Sequence, residues 1–117
     1  TPSVRVWCAR ILGEHAGAGE SRALAQAAER DGTPRVRAVA LKELARHGGP
    51  AYLATLASAL EWERDRANQT TLLGLIERSG EVALVGPLLE AIEARFDEQQ
   101  DKAAFGVLRR LTRAGLP

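Results

Sequence analysis

The chain has 117 residues, which suits one compact domain and leaves little room for two. Aromatic residues make up only 4% while Ala and Leu are plentiful, so the composition favours helices over strands and predicts an all-α fold. The net charge of +1 lacks the basic excess of a dedicated nucleic-acid binder, and no apolar run approaches the roughly 20 residues that cross a bilayer.

A short motif recurs along the chain. Residues 1–5 (Thr-Pro-Ser-Val-Arg) return as residues 33–37 (Thr-Pro-Arg-Val-Arg), at an offset of 32 residues. A third copy runs over residues 67–80, and a fourth, more divergent copy over residues 102–115. Each copy has the apolar spacing of a helix, so we predict four helices, which we term the A helices. The copies close on Gly17, Gly49, Gly80 and Gly115.

Residues that commonly begin and end helices flank these segments. Thr1 and Thr33 are good N-caps, and each precedes a proline at the first helical position. Asp65 is the expected N-cap of the third A helix. The closing glycines suit the left-handed residue that often ends a helix.

Between the A helices lie three further segments with helical spacing, residues 20–30, 51–62 and 82–96, which we term the B helices. The repeat register holds in them at steps of 32 residues: Leu24, Leu56 and Leu88. Pro87 interrupts the third B helix, where it predicts either a kink or the true start of the helix.

A hairpin of two short helices cannot bury its apolar stripe alone, so neighbouring hairpins must stack on it. We therefore predict an all-α solenoid of about three and a half hairpins in a single domain. The approximate repeats are residues 1–32, 33–63, 64–97 and 98–117. Because the chain contains no Met and begins at Thr1, we expect it to be a piece of a larger protein.

The repeated pattern resembles the HEAT repeat family in its short bacterial form, the PBS-lyase-type repeat. The matching residues are Val4-Arg5, Cys8-Ala9, Leu12-Gly13, Val36-Arg37, Ala40-Leu41 and Leu44-Ala45. The third copy departs from the pattern, because Ala67-Asn68 stands in place of Val-Arg. The resemblance implies a scaffold that binds a protein partner without a cofactor.

The two histidines, His15 and His47, occupy equivalent positions, which hold Arg78 and Arg113 in the later copies. A recurring basic residue at a helix C-terminus complements the helix dipole, and this structural interpretation outweighs metal binding. The HEAT-type deoxyhypusine hydroxylases bind iron through His-Glu dipeptides, whereas this chain has a single Glu14-His15 in the reverse order. We predict no metal ligand, cofactor or catalytic residue, and hence no enzyme.

Two other positions in the first repeat have structural interpretations. Cys8 shares a face with Val4, Ile11 and Leu12 and aligns with Ala40, so it is expected to be a small buried residue. The resemblance further implies that Arg5 and Arg37 form a ladder with an acid in the turn between repeats, and Asp31 stands at that place.

The resemblance implies that the B helices line the concave side of the solenoid, so we expect a partner to bind there. Opposite the predicted core stripe lie the candidate contacts Glu20, Arg30, Tyr52, Thr55, Trp62, Leu84 and Pro87. Amphipathic aromatics among small residues are typical of an interface hot spot. Trp62 has an alternative role as core at the edge of a neighbouring repeat. Trp7 is expected to pack against an adjacent repeat, if further repeats precede the chain.

The leading hypothesis is thus a non-catalytic protein-interaction scaffold. The alternative is nucleic-acid binding, as in the HEAT-like alkylpurine DNA glycosylases, through an arginine-rich edge formed by Arg66, Arg78, Arg109, Arg110 and Arg113. An enzyme subunit similar to phycobilin lyases has no supporting catalytic residue. The preference for Arg over Lys indicates a GC-rich bacterial genome, and we expect a cytoplasmic location.

Overall fold

A computed structural model describes residues 2–15, 18–47, 50–94 and 96–115, and within these ranges the chain is helical with no strand. The predicted all-α class is therefore confirmed. The elements in chain order are α1 (Pro2–Glu14), α2 (Ala18–Arg30), α3 (Pro34–Ala45), α4 (Pro50–Trp62), α5 (Arg66–Ser79), a 3-10 turn (Val82–Leu84), α6 (Val85–Ala94) and α7 (Glu98–Gly115). Among the described helices, none combines the length and apolarity of a membrane span.

The third B helix begins later than its apolar pattern predicts. Residues 82–84 form a separate 3-10 turn, and α6 starts at Val85, which places Pro87 in its first turn. The N–H groups of a first helical turn have no partner inside the helix, so a proline costs little there. Of the two predicted roles for Pro87, the structure confirms that it marks the start of the helix.

Two predicted helix ends are confirmed by their capping geometry. The Asp65 side chain accepts a hydrogen bond from the backbone N–H of Asn68 at 3.0 Å, and Gly80 adopts the left-handed conformation with φ of 65°. Thr33 occupies the N-cap position of α3, but its side chain makes no capping bond. Thr1, Gly17 and Gly49 lie outside the described residues.

The fourth A helix starts at Glu98, four residues before the predicted segment. Asp97 explains the earlier start, because its carboxylate accepts the backbone N–H of Gln100 at 2.9 Å and so caps the helix. An acidic residue at a helix N-terminus also interacts favourably with the helix dipole.

The chain packs as two compact units, Thr1–Thr55 and Leu56–Pro117, with the boundary inside α4. In the first unit, α1 and α2 pack against each other and both pack on α3. Its buried apolar residues are Val6, Ala9, Leu24, Ala28, Val36, Ala40, Leu41, Leu44 and Tyr52. In the second unit, α7 packs on α5 and α6. Its most fully buried large side chains are Leu56, Leu60, Leu72, Ile76, Leu88 and Leu111.

Candidate interaction surface

Three of the predicted partner contacts on the B helices are part of the core. Tyr52, Thr55 and Leu84 are all buried, so the prediction that they form an exposed face is wrong. Tyr52 and Thr55 are buried because they lie on the same face of α4 as the buried Leu56 and Ala59. The Thr55 hydroxyl tolerates burial because it donates to the Ala51 carbonyl at 2.7 Å.

The other predicted contacts keep some exposed surface. Glu20 lies half-buried in the first turn of α2, and Arg30 is exposed in the last turn of the same helix. Trp62 and Pro87 are half-buried. The Trp62 indole Nε1 donates to the Ser58 hydroxyl at 3.2 Å, one helical turn earlier, so its polar edge is held against its own helix.

The largest exposed apolar face in the first unit lies on α1. Val4 is 58% exposed, Trp7 63% and Ile11 52%, and Cys8 is exposed between them. Their spacing places all four on one face of the helix, which we call the α1 stripe. The prediction that Cys8 is a small buried residue is therefore wrong.

The core side of α1 is the opposite face of the helix. It consists of Val6, Ala9 and Gly13, which are all buried. Helix α1 is thus apolar on two sides, and only the side with small residues is covered within the described part of the chain. Periodicity did not distinguish the two faces because both have helical spacing.

The same face is covered in the next repeat. At the offset of 32 residues, Val4 corresponds to Val36 and Cys8 to Ala40, and both residues of α3 are fully buried. Val39, which corresponds to Trp7, is half-buried. The sequence pattern is shared by the two helices, but the environment differs.

Gly13 shows how closely α1 and α3 approach. A Cβ added at Gly13 would lie 2.9 Å from the Cβ of Glu43, closer than real Cβ contacts. The Glu43 carboxylate is held at this place by Arg46, whose Nη1 lies 2.8 Å away. Glu43 corresponds to Ile11 at the offset of 32 residues. The face of α3 that lies on α1 is therefore the counterpart of the α1 stripe.

The turn before α3 is held by the arginine that the resemblance singled out. The Nε of Arg5 donates to Asp31 Oδ2 at 2.7 Å, and its Nη2 donates to the Thr33 hydroxyl at 3.1 Å. The Nη1 of Arg37 donates to the Asp31 carbonyl at 2.9 Å. The predicted pairing with the Asp31 carboxylate is confirmed for Arg5, and it ties α1 to the start of α3, whereas the bond from Arg37 goes to the backbone of Asp31.

The charge of Asp31 is stabilised in this turn. Burial by itself raises the pKa of the carboxyl group, but the hydrogen bond from the Thr33 N–H outweighs it, together with the hydrogen bond and charge of Arg5 and the charge of Arg37. The net result is a pKa below the ordinary value of 3.8. Asp31 is an ionised structural residue.

His47 also has a structural contact. Its Nε2 is hydrogen-bonded to the carbonyl oxygen of Gly13, in the last turn of α1. The carbonyls of a last turn have no partner inside their helix, so His47 satisfies one of them. His15 is exposed just after α1. Across the described residues, no group of three or more His, Cys, Asp or Glu side chains could hold a metal ion.

The predicted arginine-rich edge is partly neutralised. Arg66 is paired with Asp97, and Arg110 is paired with Glu77 at 3.0 Å. Arg78 is exposed in the last turn of α5. Exposed on one face of α7 are Lys102, Phe105, Arg109 and Arg113, the last two from the predicted edge.

One polar cluster, in the turn that follows α4, is not among the sequence predictions. Glu63 is buried, and its carboxylate accepts from the Asn68 amide at 2.9 Å and the Arg64 N–H at 3.1 Å. The amide of Gln69 donates to the Glu63 carbonyl at 2.9 Å. The signal was present, because Glu63 corresponds to Asp31 at the 32-residue offset.

Searches against models of protein families, curated proteins and solved structures find no match, so the function of the chain must be argued from its own residues and geometry.

Proposed function

We propose that the chain is a non-catalytic, HEAT-like module that binds a protein partner, and that the α1 stripe is its contact surface. The observation that carries the proposal is the exposure of Val4, Trp7 and Ile11 on one helical face, each by more than half. Burying apolar surface contributes about 25 cal/mol per Å². A contiguous apolar face of this kind marks an interaction site more often than scattered exposed residues do.

The composition of the stripe suits an interface hot spot. Trp is among the residues most enriched at such sites, and Trp7 lies in the middle of the stripe with Val4 and Ile11 on either side along the helix. The flanking aliphatic side chains can exclude water from the contact. No charged residue belongs to the stripe, and charged residues are depleted at the centre of interfaces.

The Arg5–Asp31 link supports the HEAT-like part of the proposal. It joins an A helix to the turn that leads into the next A helix, which is where the resemblance implies an arginine ladder. In the second unit Arg66 of α5 is paired with Asp97, which precedes α7, although Asn68 holds the register position of Arg5. Both ion pairs join an A helix to the segment just before the next A helix, as expected where each repeat contacts its neighbour.

The proposal can be tested by affinity capture with the intact chain and a Trp7→Ser/Ile11→Ser variant. The matched control is Val82→Ser/Phe105→Ser, which removes two exposed apolar side chains from other helices. Circular dichroism checks that all three proteins have the same helical content. Any protein captured is then purified, and its affinity for each variant is measured by calorimetry.

The expected result is a protein that binds the intact chain and the control but loses at least about tenfold in affinity for the stripe variant. Equal binding by all three proteins would show that the stripe is not the contact surface. In that case the next positions to test are Arg30 and Trp62, two of the predicted B-helix contacts that keep exposed surface.

Nucleic-acid binding is a second candidate, favoured by one observation. Lys102, Arg109 and Arg113 line an exposed face of α7 beside Phe105, which combines cations with an aromatic ring. Two arginines of the original edge are already paired with carboxylates, which weakens this candidate. Binding of labelled single-stranded DNA at increasing salt concentration tests it, because phosphate contacts produce a steep loss of affinity with salt.

A further inference from the structure

We infer that the occupant of the α1 stripe is a helical hairpin of a partner protein, presenting a face equivalent to the one that α1 and α2 present to α3. The inference rests on the proposed function and specifies the chemistry of the partner. The first helix of that hairpin carries small residues (Gly, Ala or Val) at helical spacing where it crosses the stripe.

Helices α1 and α3 have equivalent faces in the repeat. Glu43 of α3 lies directly against Gly13 of α1, and its counterpart at the 32-residue offset is Ile11 of the stripe. Val36 and Val4 are likewise counterparts, the former buried and the latter open. Helix α1 thus presents outward the face that α3 uses to pack on the preceding hairpin.

The surface that covers the α3 face includes the inner side of α1. Helix α3 packs on α1 and α2, and α1 presents the buried Val6, Ala9 and Gly13 on its inner side. Small residues allow the backbones of packed helices to approach closely, as the absence of space for a Cβ at Gly13 shows. A helix of the same kind would fit the α1 stripe, because the stripe has the same backbone geometry as the α3 face.

The α1 stripe differs from the α3 face at two positions. Position 11 is apolar, whereas its counterpart Glu43 is charged and paired with Arg46. Trp7 replaces the smaller Val39. The stripe is therefore more apolar than the α3 face, and its occupant needs small side chains opposite the indole of Trp7.

Arg5 adds a polar contact at the N-terminal end of the stripe. Its counterpart Arg37 uses Nη1 to bind the carbonyl of the turn that precedes α3. Arg5 uses Nε and Nη2, and within the described part of the chain its Nη1 makes no hydrogen bond. A turn carbonyl of the partner, placed beside the N-terminus of α1, would accept from this group.

The inference can be tested by extending the full chain with a second copy of residues 1–32, placed directly before Thr1 so that the repeat register continues. The appended copy carries Cys8→Ala, which matches Ala40 and leaves the original Cys8 as the single thiol. A matched control carries Ala9→Glu and Gly13→Glu in the appended copy as well. The readouts are the rate at which a thiol reagent modifies Cys8, and the helical content by circular dichroism.

We expect Cys8 to react at least about 100-fold more slowly in the extended chain than in the intact chain. The reagent can then reach the thiol only when the appended hairpin opens away from the stripe. In the control, the appended carboxylates cannot be buried and Cys8 stays reactive. Unchanged Cys8 reactivity in the extended chain overturns the inference, whether the appended residues gain helix or stay unfolded, since the stripe is inferred to hold such a hairpin.

Self-association is the remaining outcome. If Cys8 of the intact chain is already protected, and sedimentation shows a dimer whose dissociation exposes the thiol, a second copy covers the stripe and the hairpin inference is wrong. A protein captured through the stripe, combined with failure of the extended chain to protect Cys8, would leave the proposed function standing and refute the hairpin alone.

Discussion

Val4 and Val36 occupy the same position in two successive repeats, yet Val4 is 58% exposed and Val36 is 1% exposed. The difference arises because α3 packs on α1 and α2, while the corresponding side of α1 is open within the described part of the chain. One sequence pattern therefore builds core in α3 and an available apolar surface in α1.

Gly13→Ala should destabilise the chain by about 2 kcal/mol, because the added methyl group would overpack the contact with Glu43. Gly74→Ala is the matched control, since a Cβ there meets nothing within 4 Å and alanine is the better helix former. Urea unfolding followed by circular dichroism measures both variants. Equal stability of Gly13→Ala and the unmodified chain would mean that α1 and α3 are not in close contact there.

Asp31→Asn should lower stability by about 1 kcal/mol at neutral pH, since it removes a charge that is paired with the partly exposed Arg5. Folding lowers the pKa of Asp31, so its contribution is fully present above about pH 4 and is lost as the pH falls through the folded value. The stability difference between the two proteins should therefore shrink in acid. A difference that stays constant from pH 7 to pH 2 would contradict the role assigned to its charge.

Glu63→Ala should lower the free energy of unfolding by about 3 kcal/mol, because it removes the buried carboxylate that accepts hydrogen bonds from the Asn68 amide and from the backbone N–H groups of Arg64 and Asp65. The control Glu61→Ala removes an exposed carboxylate two residues earlier. Thermal unfolding of the two variants separates a buried structural acid from a solvated one. If both variants melt at the same temperature, the turn is not organised around Glu63.

Trp7→Ser/Ile11→Ser should leave the free energy of unfolding within about 0.5 kcal/mol of the unmodified chain, because both side chains are mostly exposed. Leu44→Ala, at a fully buried position, should cost about 3 kcal/mol in the same urea titration. A large loss in the stripe variant would show that these residues support the fold of the isolated chain.

Much of the fold is predictable from the sequence, because the 32-residue repeat, the Asp65 cap and Gly80 are local signals. The binding face is less predictable. Helix α4 is apolar on most sides, so spacing alone did not show that Tyr52 and Thr55 face the core. Helices α1 and α3 share one apolar pattern, and only tertiary packing decides whether that face is covered. The burial of Glu63 is not predictable from apolar spacing, because its hydrogen-bond partners are set by the turn.

The most direct test of the account compares one thiol at two equivalent positions. The reactivity of the native Cys8 is measured beside that of Ala40→Cys in a Cys8→Ala background, each relative to its own rate in denaturant. We predict that Cys8 reacts within about tenfold of its unfolded rate, whereas the thiol at position 40 is protected by about 1,000-fold or more, because only a large opening exposes it. Equal protection of the two thiols would contradict the claim that the face buried in α3 is open in α1.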